Sequence, residues 1–481
     1  MRRVGPAPLF GLLAVVAFGS LACRGQDPGG DAEADFESLT SGYVEAWKDF
    51  YPERAAAAGL AEYRDRTGDR SPEGIEAWVA LNDSILDRMS AAGATLPLDL
   101  RIDLRLIRNQ GRAELSRWRE GEAAGEGSEG DETGDFRLGR DAYAAALVQY
   151  YDMEITPEEV AERALQEIRE VRRHMAETAA AHWAETHAQS PAGSRPPPGD
   201  EDALVAWALA EMEENRASGQ QESLDLFTRF ADEAEAFVRD AGIATLPAER
   251  TLDIVLTPAS AGPAQRIGFV DPAPPFDSTA RTVLSIPTIE DTFPAGEKED
   301  FYRSFNNHFN KAIIVHELVP GHYMQAKIAS TNPRQARSLF PYEPYIEGWA
   351  TLVEKIALDA GWDDRNRLTY LAHLRKRLEN ANRAYTSVQV HCFGWTEDQV
   401  LRFSVEESLV APQFARSLWG RLERSPMQVT SYFLGADVLR RILEAEKERL
   451  GEDFDVRAFN DAILRAGPVP FDLIPELLAS R

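Results

Sequence analysis

The chain has 481 residues, 44% of them hydrophobic, a formal net charge of -27 and a pI near 4.8. That length and apolar content suffice for a large buried core. The acidic excess argues against a nucleic-acid polyanion or an anionic membrane surface as partner, and leaves an acidic enzyme or binding protein.

The N-terminus reads as an export signal. Arg2 and Arg3 form a basic start, Leu9 to Leu21 is apolar but too short for a comfortable membrane span, and cleavage is expected after Ala22. Ser20-Leu21-Ala22-Cys23 is similar to a lipoprotein signal, in which Cys23 would carry the lipid, although Ser20 stands where a large aliphatic residue is usual. The expectation is a signal peptide over 1–22, a lipid anchor and flexible polar tether over 23–35, and a cell-envelope lipoprotein on the periplasmic side or outer surface. Plain periplasmic or secreted export is the alternative. With Cys392 as the only other cysteine there is no disulfide framework, and Cys392 is expected to be a small buried hydrophobe.

From Phe36 the periodicity is helical. Tyr43, Val44, Trp47, Phe50 and Tyr51 carry the three-and-four spacing of a buried helix face. Further helices are predicted over Gly74–Met89, Pro97–Trp118, Asp141–Met153 and Thr156–His187, the last opened by a capping box of Thr156 and Glu159. Glu120–Asp135 and Gln189–Asp200 read as solvated loops. Between Leu252 and Pro287 two β-rich segments, Leu252–Leu256 and Thr282–Ile286, flank the prolines and glycines of Pro258–Phe276. A small sheet is expected there, next to the helix that carries His316, with an edge able to bind an extended peptide. Helices follow over Tyr345–Ala360, Asp363–Val390, Thr396–Ser408, Pro412–Arg421 and Met427–Leu450. The predicted fold class is mainly α, one large helical zincin-like domain over 36–481 with a small β-sheet at about 252–287.

Five of the eight histidines fall between 308 and 391. Among them, His316-Glu317-Leu318-Val319-Pro320-Gly321-His322 is followed by Glu347-Gly348-Trp349-Ala350. Two imidazoles and a later carboxylate can hold a catalytic zinc, which takes three protein ligands and leaves one position open. In the ordinary motif the histidines are four apart and differ by about 40° around a helix. Six apart, they differ by roughly 240°, so a regular helix cannot aim both at one ion. Pro320 and Gly321 supply the remedy, and the helix is expected to deform just before His322. Zincins of the gluzincin type take a third ligand from a glutamate on the next helix, and Glu347 stands at that distance. Glu317 is then the general base. Glu354, two turns beyond Glu347, either orients a ligand histidine from behind or is a plain surface carboxylate.

These motifs resemble the bacterial domain-of-unknown-function family 885, predicted zinc metallopeptidases distantly similar to the angiotensin-converting-enzyme and oligopeptidase group. The match comprises His316 to His322, Glu347 to Ala350, then Arg383 with His391-Cys392-Phe393-Gly394-Trp395-Thr396, then Gln428 to Gly435, and an ending over Asp453 to Phe459 and Pro470 to Leu473. It covers the C-terminal half clearly and the N-terminal half loosely. The resemblance implies that His391 and Tyr432 donate to the oxyanion and that Arg383 meets a substrate or product carboxylate. Many members carry an aspartate where this chain has Ser387, so a local charge interaction is missing or replaced.

The expected function is an exported zinc metallopeptidase holding one Zn2+ per chain, with small peptides as substrate and, through Cys23, the membrane as anchor. Nucleic acid is not an expected partner. A zinc hydrolase of non-peptide amides or esters, and a non-catalytic surface binding lipoprotein with a structural zinc, are the alternatives.

Overall fold

Wherever apolar residues recur every three or four positions, the chain folds as helix, and helices make up most of the computed structural model. The structure describes residues 28–90, 96–121, 135–187, 199–258, 268–290 and 292–480. The expected signal peptide and Cys23 lie outside them. Among the described residues no helix is long and apolar enough to cross a membrane.

The two longest helices form the spine. Pro157–His187 buries Val160, Ala164, Ile168, Val171 and Met175 along one face. It packs along Arg367–Phe393, whose own buried face includes Leu371, Leu374, Leu378, Ala381 and Val388. Each of the valine, leucine, isoleucine and methionine side chains among these contributes about 2 kcal/mol through burial. The predicted capping box is present: Glu159 N–H donates to Thr156 Oγ1 (3.2 Å) and Thr156 N–H to Glu159 Oε2 (2.9 Å). One apolar cluster runs from Leu39 to Leu478, and a small satellite of Val390, Val400, Leu418, Leu422 and Val429 lies beside it.

A second crossing matters more for function. Glu343–Ala360 packs on Pro426–Leu450 so closely that the meeting residues must be glycines. A methyl at Gly348 would overlap the backbone of Gly435, and one at Gly435 would overlap the Pro344 carbonyl oxygen.

The sheet has three strands in the order β1-β3-β2, with β1 Leu252–Leu256, β2 Phe269–Asp271 and β3 Thr282–Ile286. β1 and β3 occupy the predicted segments and pair in parallel from Leu252 with Thr282 to Leu256 with Ile286. The antiparallel β2 lies in the Pro/Gly-rich stretch, which gave no strand signal in the sequence. Thr251 N–H donates to the Tyr323 hydroxyl (2.9 Å), tying the root of β1 to the second half of the metal motif.

Three expectations need correction. Residues 28–35 are not a flexible tether, because the first helix runs Pro28–Phe50, with a proline at its first position and acidic residues in its early turns. Helices at Glu201–Glu214 and Gln220–Asp240 were not expected. The long helix predicted from Asp363 starts at Arg367, since Asp363, Asp364 and Arg365 hold positive φ values of 54°, 53° and 60°. Asn366 caps it through Leu368 N–H (3.0 Å).

Candidate metal centre

The motif breaks where its spacing demands. The helix Asn307–Glu317, capped by Asn306, carries His316 near its end, and a new helix, His322–Ala329, opens on His322. The break is complete, more than the deformation the sequence implied. Leu318 leaves helical geometry (φ -110°, ψ -88°) and the Val319–Pro320 peptide is cis. Gly321 then passes so close to the preceding turn that a methyl there would overlap the His316 carbonyl oxygen. The Pro320 carbonyl accepts from Trp349 Nε1 (2.9 Å), which fastens this break to the helix bearing Glu347.

As a result His316, His322 and Glu347 converge. Their ligand atoms lie within 4.8 Å of one another. Glu347 Oε2 is 3.8 Å from His316 Nε2 and 3.6 Å from His322 Nε2, and the imidazoles meet edge-on at 84°. Glu347 Oε2 is buried without a hydrogen-bond partner among the described residues. Such an orphaned oxygen facing two imidazole nitrogens suits a cation between them. Glu317 Oε1 lies 4.0 Å from His316 Nε2 and, among the described residues, makes no hydrogen bond.

Glu354 is fully buried behind His316. It accepts from His316 Nδ1 (2.8 Å), His373 Nδ1 (2.9 Å) and Lys376 Nζ (2.6 Å). It is therefore no surface carboxylate but a buried partner of His316. The proton it draws to Nδ1 leaves the His316 Nε2 lone pair facing the site. Burial alone would raise its carboxyl, but Lys376 and the two imidazoles hold it well below the usual range. Burial disfavours a charged His322, yet the adjacent Glu347 lifts it to about 9. Glu347, whose burial pulls the other way, is held at about 2 by His322 and His316. His373 and Lys376 carried no spacing signal toward the site in the sequence.

The remaining candidates divide. Tyr432 sits on the helix Pro426–Leu450, one turn before Gly435, and its hydroxyl accepts from Gln428 Nε2 (2.7 Å). Gln428 Oε1 accepts from Arg421 Nη2 (3.0 Å), which fixes the amide orientation and leaves the phenol proton uncommitted. Burial, then the Glu347 charge, raises the phenol above its ordinary value. Arg383 lies with its guanidinium 5.2 Å from the Tyr432 ring centre and bonds Asn380 Oδ1 (2.7 Å).

His391 is not brought to this centre. Its Nε2–H donates to the Leu422 carbonyl (3.0 Å), its Nδ1 accepts from Leu138 N–H (3.3 Å), and its ring stacks on Tyr143. Both nitrogens are used by backbone, so His391 is a buried structural histidine and its expected oxyanion role is withdrawn. Ser387, fully buried, accepts from the Tyr143 hydroxyl (2.9 Å) and donates to the Pro426 carbonyl (3.2 Å), a neutral relay where an aspartate was expected. Cys392 is half-buried, not buried, and burial pushes its thiol up to about 11, so it is unreactive.

The family model described as "Bacterial protein of unknown function (DUF885)" matches residues 113–478. The chain belongs to the DUF885 family. No curated protein matches it. Among solved structures, this DUF885 chain is similar to a candidate lipoprotein of unknown function from Shewanella oneidensis. That match has a TM-score of 0.76 at 17% identity, covering 92% of this chain and 99% of that one. A candidate lipoprotein from Colwellia psychrerythraea matches at a TM-score of 0.60 and 17% identity, over 85% of this chain and 69% of that one. At these identities the likeness establishes the DUF885 fold and not an activity.

Proposed function

We propose that the protein is an exported zinc-dependent metallopeptidase that hydrolyses small peptides. The observation that carries this reading is the convergence of His316, His322 and Glu347, with the Glu317 carboxylate 4.0 Å from His316 Nε2 and in no hydrogen bond among the described residues. Two imidazoles and one carboxylate are a zinc donor set with an open position, whereas a structural site is closed and needs no base. Zinc, when bound, supplies the positive charge that polarises a scissile carbonyl and acidifies water.

The chain's own groups do the rest. Glu317 takes the proton of the attacking water and returns it to the leaving amine. Tyr432, whose proton is uncommitted, donates to the oxygen on which negative charge develops. Glu354 keeps His316 in the tautomer that leaves Nε2 free. Export and anchoring through Cys23 fit the lipoprotein designation of the two similar structures.

The test is metal content and hydrolysis of a mixed peptide library, on wild type and Glu317→Gln side by side. The expected result is one zinc per chain in both and a fall in turnover of about 10²–10⁴-fold in the variant. Equal cleavage by the two proteins would overturn the mechanism.

A further inference from the structure

Two guanidinium groups share one aromatic ring beside the metal centre. Arg383 and Arg421 lie 5.2 Å and 5.7 Å from the Tyr432 ring centre, approaching from different helices. Like charges so placed repel, and a chain of net charge -27 has ample carboxylates with which to neutralise them. It does not do so. Among the described residues Arg421 has no carboxylate within ion-pair distance, and its hydrogen bond goes to the neutral Gln428 amide (3.0 Å). Arg383 bonds the neutral Asn380 amide (2.7 Å) and reaches Glu379 only at 3.9 Å, a carboxylate that also faces Arg375 at 3.6 Å.

The pair is also held in place. His391 and the satellite cluster fix the end of the helix Pro412–Arg424, since His391 bonds the carbonyl of Leu422, next to Arg421. Gln428 then bridges Arg421 to the Tyr432 hydroxyl. Tyr432 stands one helical turn, about 4.5 Å of rise, from Gly435. Gly435 in turn abuts Gly348, the neighbour of the proposed ligand Glu347. An under-neutralised arginine pair at this spot fits an anion delivered with the substrate, and the planar forks suit a carboxylate.

We infer that Arg383 and Arg421 form a clamp for the free C-terminal carboxylate of a peptide, which makes the protein a carboxypeptidase. This inference deepens the hydrolase reading and rests on it for the cleavage step, but not for the binding step.

Binding is therefore the test. In zinc-loaded Glu317→Gln protein, calorimetry compares N-acetyl-trialanine with its C-terminal amide. The expected result is at least tenfold tighter binding of the free acid, a preference weakened by added salt. Arg421→Gln should bring the ratio close to one and Arg421→Lys should keep part of it, thermal melts confirming that both variants fold. Equal affinity for acid and amide, binding of neither, or a ratio unchanged in Arg421→Gln would each overturn the clamp. A clamp that binds as described while zinc-loaded wild type cleaves no peptide would instead overturn the hydrolase reading alone.

Discussion

Glu354 illustrates how much one buried carboxylate does in this protein. It meets two imidazoles and an ammonium with no exposed surface of its own, so it fixes the His316 tautomer and balances Lys376. Glu354→Gln should therefore weaken zinc binding by about 10–100-fold, read by competition against a chelator. An unchanged affinity would mean that His316 needs no partner. Tyr432 acts on a different quantity. Because its proton is offered to charge that exists only in the transition state, Tyr432→Phe should lower kcat by about 100-fold while KM stays within about threefold. A rise in KM at constant kcat would reassign Tyr432 to ground-state binding. The proposed ligand residues were legible in the sequence because zinc chemistry demands particular side chains in a restricted spacing. Arg421 and Gln428 were not legible in role. Their partners come from separate helices, and nothing in local spacing distinguishes them from surface side chains. His391 misled for the converse reason: a histidine in a motif looks the same whether its nitrogens face a substrate or the backbone.

At the scale of elements, the six-residue histidine spacing was the most informative feature, since helix geometry alone required a break before His322. What the sequence did not reveal is how the two sides of the site are brought together. That depends on the glycine contact between Glu343–Ala360 and Pro426–Leu450, and each glycine looks ordinary in its own helix. Gly435→Ala, forced against the Pro344 carbonyl, should cost about 2 kcal/mol or more in denaturant unfolding and weaken zinc binding with it. Gly296, which has open space around it, is the control, and Gly296→Ala should change stability by no more than about 0.5 kcal/mol. Equal effects at both positions would mean the helix crossing tolerates a methyl. Helix ends were read to within a few residues wherever caps or prolines marked them. The errors fell at the left-handed turn before Arg367 and in the stretch after Asp200, where Ala203 to Met212 is apolar nearly all round and no single face stands out.

For the molecule as a whole, a buried histidine outside the candidate site, His308, contributes to the response to acid. His308 is 6% exposed, its Nδ1 bonded to Thr369 Oγ1 (2.9 Å) and its Nε2 accepting from Asn215 Nδ2 (3.3 Å), an arrangement that needs the neutral ring. Burial, and secondarily Lys311, lowers it from 6.5 to about 4. The unfolded chain thus takes up a proton below pH 6.5 that the folded chain refuses until about pH 4. Stability falls as pH drops through that window, by up to about 3 kcal/mol, and is regained as pH rises. His308→Gln should reduce the pH dependence of unfolding free energy between 6.5 and 4 by about one proton. An unaltered slope would place that proton elsewhere.

His316, His322 and Glu347 are proposed to hold one zinc with a position left open. Zinc-edge X-ray absorption on the metal-loaded protein tests it most directly. The expected result is one zinc per chain with two imidazoles and one carboxylate at about 2.0–2.2 Å, a further non-protein oxygen and no sulfur, and loss of the carboxylate contribution in Glu347→Ala. Four protein ligands, a sulfur shell, or no stoichiometric zinc would contradict it.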